Sequence, residues 1–341
     1  MVVLVEDYEH RTGEHCASTA LRNILHHRGL ELSEAMIVGL SGGVGFFYLR
    51  SGATSPSAMF HGRTASLEVD FCRNLAIPFE DREVDDDARA WEAVRERIDA
   101  GQPVMVSTDT FYLGYQNTTS HFPGHRAVVV GYDAAARTAL IADRKFDEYQ
   151  VCSLDELRRA RNSDDYPVSC RNQFGDFLGD ISPGRPLAEA IRIAIRRNAD
   201  WMLARSDNRT TGIDAMRDLA ADFPRWQTLE DWSWAARFGY QVVIKRGAGG
   251  SFFRSLYADF LDEAAQTVPA LSAAGPQMAT IAARWRELAA VLKEQSERES
   301  CDPELFRAAG GLMTALADEE GAFFARLKTL SKSEAVWAKL C

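Results

Sequence analysis

The segment Gly13-Glu-His-Cys16-Ala-Ser-Thr-Ala-Leu-Arg-Asn-Ile-Leu-His-His-Arg-Gly29 decides the reading of this chain. Ala20, Leu21, Ile24 and Leu25 recur at helical spacing and form one apolar face. Gly29 is a natural C-terminal stop, and Gly13 supplies a flexible turn before the start. Cys16 is therefore expected in the first turn of a helix. There the unsatisfied backbone N–H groups and the macrodipole favour a thiolate over a thiol. The same residues also read as a small buried cysteine at the head of a packed helix.

A second segment bears on that choice. His125 opens the run Arg126-Ala-Val-Val-Val-Gly-Tyr132, Asp133-Ala-Ala-Ala-Arg137 reads as a hairpin loop, and Thr138–Ala142 reads as the return strand. A hairpin centred near Ala135 puts His125 opposite roughly residues 143–145, so Asp143 comes within reach of the imidazole. A cysteine on a helix N-terminus with a histidine–aspartate hairpin has the parts of a nucleophile–base–orienter set, Cys16, His125 and Asp143. Singly, His125 reads equally as a core histidine and Asp143 as a strand-end cap.

Outward from these segments the chain divides in character. The 341 residues suit two domains of ordinary size, with 46% apolar and 26% charged residues. Up to about residue 178, strand-like runs alternate with helices; Pro103–Thr108 is a further strand candidate. Residues 175–186, Gly-Asp-Phe-Leu-Gly-Asp-Ile-Ser-Pro-Gly-Arg-Pro, read as a linker. From Leu187 to the end the pattern is helical: Leu187, Ile191 and Ile195 recur in fours, and Met278, Ile281, Trp285, Leu288 and Leu292 in threes and fours. Gln241–Gly250 is the exception, an apolar stretch closed by a glycine turn. The expected fold class is α+β for residues 1–178, followed by a mainly α-helical domain over 187–341.

The formal charge of −10, from 49 acidic and 39 basic residues, argues against nucleic acid as the main partner. No apolar run approaches a membrane span, and the first residues lack the basic region of a secretory signal. Cys16, Cys72, Cys152, Cys170, Cys301 and Cys341 form no CxxC pair, which fits free thiols in a reducing, cytoplasmic setting. His10, His15, Cys16 and His125 lack the spacing of a zinc motif, so no metal is expected.

Several other residues are candidates for substrate contacts. Asp109 ends a strand just before Tyr112 and Tyr115, a set suited to an acceptor amine and hydroxyls, or to a plain cap. His121 either lines the pocket or is a loop residue. Gly39–Gly45 has the composition of a phosphate loop but lacks the following Lys-Ser/Thr. Gly42 and Gly43 read instead as a turn that lets backbone approach an acyl chain or another strand. Arg158, Arg159 and Arg161, and Arg192, Arg196 and Arg197, form basic clusters that fit either a docking patch for an acidic partner or a solvated helix face. Trp226, Trp232 and Trp234 fit either an interface, as in a homo-oligomer, or a buried helix junction.

The strings Glu14-His-Cys-Ala-Ser-Thr-Ala-Leu-Arg-Asn23, Leu32-Ser-Glu-Ala-Met36, Gly39-Leu-Ser-Gly-Gly-Val-Gly-Phe-Phe-Tyr48, Asp109-Thr-Phe-Tyr-Leu-Gly-Tyr115 and His121-Phe-Pro-Gly-His-Arg-Ala-Val-Val-Val-Gly-Tyr-Asp133 resemble the butirosin biosynthesis protein H family. Ile244-Lys-Arg-Gly-Ala-Gly-Gly-Ser-Phe-Phe-Arg-Ser-Leu-Tyr257 resembles the helical domain that usually follows. The resemblance implies a papain-like, C39-like cysteine-enzyme domain with Cys16 as nucleophile, His125 as base and Asp143 as orienter. It implies an acyltransferase of specialised metabolism that takes an acyl or aminoacyl group from the phosphopantetheine arm of an acyl carrier protein and passes it to a small-molecule amine. No bound cofactor is implied, and the helical domain is expected to form one wall of the cleft. C39-like relatives carry a glutamine six residues before the cysteine as an oxyanion donor. Here that position is His10, beside which the Cys16 backbone N–H can serve. The rival readings are a peptidase, amidase or macrocyclase with the same triad, and a non-catalytic carrier-protein partner.

Overall fold

The computed structural model describes residues 2–63, 66–165, 168–205 and 210–337, so Cys341 lies outside the described residues. The chain divides into two units, Met1–Ile37 with Ala76–Gly184, and Val38–Leu75 with Arg185–Cys341.

With elements numbered in chain order, the first unit holds β1 (Val2–Leu4), α1 (Cys16–His27), most of α2 (Glu34–Leu40), β4 (Phe79–Arg82), α4 (Asp87–Asp99) and β5 (Val104–Thr108). It continues with β6 (His125–Asp133), β7 (Thr138–Ala142), β8 (Gln150–Ser153), α5 (Leu154–Arg161) and β9 (Phe174–Phe177). Its antiparallel sheet runs β4-β9-β5-β6-β7-β8, and β1 pairs with the far end of β6, beside Gly131–Asp133. All five residues of β5 are buried, because α1, α4 and α5 all pack on that strand. Apolar side chains fill this core: Val104–Val106 and Ala127–Val130 from the sheet, Ala20 and Ile24 from α1, Val94 and Ile98 from α4.

The second unit takes β2 (Val44–Arg50), β3 (Ala58–Arg63) and α3 (Leu67–Leu75) from early in the chain. The later helices are α6 (Leu187–Leu203), α7 (Gly212–Asp222), α8 (Trp232–Ile244), α9 (Arg254–Thr267), α10 (Ala274–Ser296), α11 (Pro303–Ser331) and α12 (Glu334–Trp337). The β2–β3 hairpin joins the helices through aromatic packing. Phe46 and Phe60 stack at 6.1 Å, and Phe252 and Trp285 meet at 4.4 Å beside them.

The mixed α and β class and the helical C-terminal region are as expected, but the boundaries differ. Residues 38–75 lie among the helices, because the two-stranded hairpin buries its aromatic face there. The expected linker begins too early: Phe174–Phe177 is a strand, with Phe177 against Phe79 at 5.0 Å on the neighbouring strand. The division at Gly184 and Arg185 does fall within it. Val242, Val243 and Ile244 are helical despite their β-branched side chains, since α8 buries both valines. Trp226 is fully buried, which settles it as a helix-junction residue.

Arg161 is buried and donates to the carbonyls of Ala90 and Asn172, while Arg158 pairs with Asp87 at 3.2 Å. Arg197 pairs with Asp70 at 2.6 Å and Arg196 with Asp200 at 3.8 Å. Arg161 is thus an internal residue, whereas Arg158, Arg159 and Arg196 stay exposed at the surface.

Candidate active site

Cys16 is the first residue of α1, and His15 caps the helix in an extended conformation with its side chain accepting from the Ser18 backbone N–H. The helix closes where the sequence indicates. Gly29, at φ 86°, donates to His26 O, and Leu30 donates to Leu25 O, the double bond pattern of a Schellman stop. At the other end the Glu34 carboxylate, buried on α2, braces the start of α1. It accepts from the backbone N–H of Glu14 at 3.0 Å and of His15 at 2.8 Å, and from the hydroxyls of Ser18 at 2.7 Å and Thr19 at 3.1 Å.

His125 starts β6 and is 5% exposed. Its Nε2 lies 2.8 Å from Asp143 Oδ2, which leaves Nδ1 as the nitrogen that can face the Cys16 sulfur, with which His125 interacts electrostatically. The hairpin register explains how Asp143 arrives. Near the turn Gly131 pairs with Leu140, but past the extra residue Val130 the pairing becomes Val129 with Ile141 and Val128 with Ala142. One step further places Asp143 opposite Ala127, on the same sheet face as His125 and two positions along. Without that bulge Asp143 would fall opposite Val128 and point to the other face.

Three donors converge on Asp143 Oδ2: His125 Nε2, the Tyr115 hydroxyl at 3.0 Å and Gln116 Nε2 at 2.5 Å. Burial alone would raise this carboxyl, but the His125 charge and these bonds hold it below its usual range. Burial likewise works against a charged His125, yet Asp143 and the Cys16 sulfur outweigh it and raise the imidazole to about 10. For Cys16, burial pushes upward, while the imidazoles of His15 and His125 outweigh it and hold the thiol well below its usual value. The two shifts agree in direction, and both favour a thiolate–imidazolium pair. Cys72, Cys152, Cys170 and Cys301 are all shifted the other way, chiefly by burial.

Two family models match this chain. Residues 15–144 match the description "Butirosin biosynthesis protein H, N-terminal", and residues 155–327 match a domain of unknown function, DUF4872. The chain belongs to the butirosin biosynthesis protein H family. None of the curated proteins matches it. The matched N-terminal segment of this butirosin biosynthesis protein H relative begins one residue before Cys16 and ends one residue after Asp143, so it spans the whole group just described.

The remaining expected residues of this butirosin biosynthesis protein H relative fare differently. His10 directs Nε2 to Phe146 O at 2.7 Å and Nδ1 to the Asn23 amide at 3.4 Å. Both nitrogens are thereby taken, which removes it as an oxyanion donor in this arrangement. Tyr115 supports Asp143 and does not stand as a separate substrate contact. Asp109 is fully buried and accepts four bonds, from the backbone of Phe111 and Phe122, His121 Nδ1 at 2.6 Å and the Ser163 hydroxyl at 2.8 Å. It can act on a ligand only through His121, whose ring stacks on half-exposed Phe111 at 4.0 Å. Tyr112 packs its ring against His121 and under the Arg159 guanidinium.

Gly42 and Gly43 form a turn, as their composition suggests. They close α2 with the Schellman pattern already seen at Gly29, Gly42 at φ 66° donating to Gly39 O and Gly43 to Val38 O. Their amides are consumed by the helix stop, so none is left to approach an acyl chain. Among the described residues, Asp109, His121 and Asp165 are one group whose ligand atoms lie within 4.8 Å of one another. As they stand, the His121 Nδ1 proton and the Ser163 hydroxyl serve those carboxylates, with 3.1 Å from each to Asp165 Oδ2.

Glu34 and Gln116 carry no signal of this site in the sequence, and His15 enters there only in a metal set whose spacing argues against it. A Ser two residues after the cysteine and an acid on the next helix are too common to signal such a network.

Proposed function

We propose that this chain is a cysteine acyltransferase of antibiotic or related specialised-metabolite biosynthesis, with a papain-like, C39-like catalytic unit. The observation that carries this reading is Cys16 at a helix N-terminus together with His125, whose Nε2 lies 2.8 Å from the Asp143 carboxylate; the shifts of Cys16 downward and His125 upward support it. The family name supports a biosynthetic setting.

In the first half-reaction the Cys16 thiolate attacks the carbonyl carbon of a carrier-protein thioester. The C–S bond to the phosphopantetheine arm breaks, and His125 gives its proton to the departing thiolate. In the second, a small-molecule amine attacks the acyl-enzyme, its proton passes to His125, and the Cys16 thiolate leaves as the amide forms. Thiolate–thioester exchange is close to isoenergetic, and amide formation runs downhill. Oxygen charge in each tetrahedral intermediate is met by the Cys16 backbone N–H, which has no partner within the helix.

Transfer and hydrolysis share every step but the last, so product partitioning tests the proposal. With an acyl-pantetheine thioester and a panel of small amines, amide should accumulate faster than free acid, and neither should form with Cys16→Ala. Free acid alone at saturating amine would make the chain a hydrolase.

A further inference from the structure

The site contains an imidazole that the two half-reactions leave unused. His15 is 4% exposed and lies directly against the reacting sulfur, its Nε2 4.0 Å from Cys16 Sγ. Its tautomer follows from the helix cap. Nδ1 accepts from the Ser18 backbone N–H at 3.3 Å, so the ring proton must be on Nε2. The Ser18 hydroxyl, 3.3 Å from the same Nδ1, gives its own proton to Glu34 Oε1 at 2.7 Å, so the assignment rests on the backbone N–H. Glu34 also holds the His15 backbone N–H, so ring and main chain are both fixed.

We propose that His15 is the second hydrogen-bond donor of the Cys16 site: its Nε2–H stabilises charge on the sulfur and then on the acyl oxygen the sulfur carries. This rests on the acyl-enzyme reading above and fills the role His10 cannot. The two imidazoles divide the work. His125 has its second nitrogen on a carboxylate, so it gains and returns a proton in each half-reaction. His15 has its second nitrogen on a backbone N–H, so it keeps its proton and acts as a preorganised dipole. The 4.0 Å separation is that of the resting site, and catalytic contacts commonly tighten once substrate is bound.

His15→Asn separates the capping role from the donor role. Asparagine caps a helix as well as any residue, but its side chain is too short to bring an N–H to the sulfur. The rate of iodoacetamide alkylation at Cys16, read by intact mass across pH with Cys16→Ser as background, should stay high well below the ordinary thiol range in the wild type. In His15→Asn it should fall roughly tenfold or more near pH 6 and converge with wild type at alkaline pH, at unchanged Tm. His15→Ala should show the same kinetic loss and also a lower Tm. A low thiol pKa that His15→Asn leaves in place overturns the His15 proposal alone. A wild-type thiol that ionises like free cysteine overturns the acyl-enzyme reading and this proposal together.

Discussion

Asp143→Asn should cut amide formation about 10^4-fold while leaving the fold in place. Asparagine fills the same space and can still meet the Tyr115 hydroxyl, but it carries no charge to balance an imidazolium. Its amide also competes for the orientation of His125, and the comparable change in serine triads costs a similar factor. The pH profile should move with it. Asp143 and the Cys16 sulfur together raise His125, against burial, from 6.5 to about 10, so the imidazolium persists until pH passes that value. Without the carboxylate the imidazole loses its proton at lower pH, and the alkaline fall in activity shifts down. Less charge on His125 also means less stabilisation of the thiolate, so the acid limb shifts up and the active window narrows from both sides. Steady-state rates from pH 5 to 11, with circular dichroism as a fold control, check this. A variant within tenfold of wild type, with an unshifted profile, would mean that Asp143 has no part in the chemistry.

The second large effect concerns stability. In the helical unit, Arg254 and Glu320 are both fully buried and paired through two bonds, Nε to Oε1 at 2.8 Å and Nη2 to Oε2 at 2.7 Å. The third nitrogen, Nη1, donates to the carbonyls of Gly45, Gly62 and Phe252, and Trp285 Nε1 donates to Glu320 at 2.7 Å. This ties the β2–β3 hairpin to α9, α10 and α11. Glu320→Ala leaves a buried guanidinium uncompensated and should cost about 3–5 kcal/mol, whereas Arg254→Met with Glu320→Leu should recover much of that loss. Urea unfolding followed at 222 nm, where this helical unit dominates, measures both. Equal losses in the single and double variants would contradict the account, because they would assign the cost to packing and not to the stranded charge.

The features legible in the sequence are those set by short-range rules. The α1 helix has an apolar stripe and a glycine stop within one window, and the β6–β7 hairpin has its turn between two apolar runs, so Cys16 at a helix start and the nearness of His125 and Asp143 are legible from spacing, whereas joining the three rests on the resemblance. Even there the face on which Asp143 lies depends on the Val130 bulge, which no residue type signals. Residues 38–75 fall outside the expected unit because burial of Phe46 and Phe60 against Phe252 and Trp285 depends on partners some two hundred positions away. Gly175–Phe177 reads as linker because a four-residue strand with a glycine inside it carries too little periodicity. Asp109, Tyr115 and His10 have the residue types of ligand contacts, but each is consumed by a partner visible only once the chain is folded. His15 shows the reverse: its position beside Cys16 was plain, and its meaning came from a backbone N–H three residues on.

The most direct test of the account is the intact mass of the protein after a brief pulse of acyl-pantetheine thioester. One added acyl mass is expected, located on the peptide containing Cys16, absent in Cys16→Ala and discharged when amine is added. No adduct on the wild type, or an adduct that survives in Cys16→Ala, would contradict it.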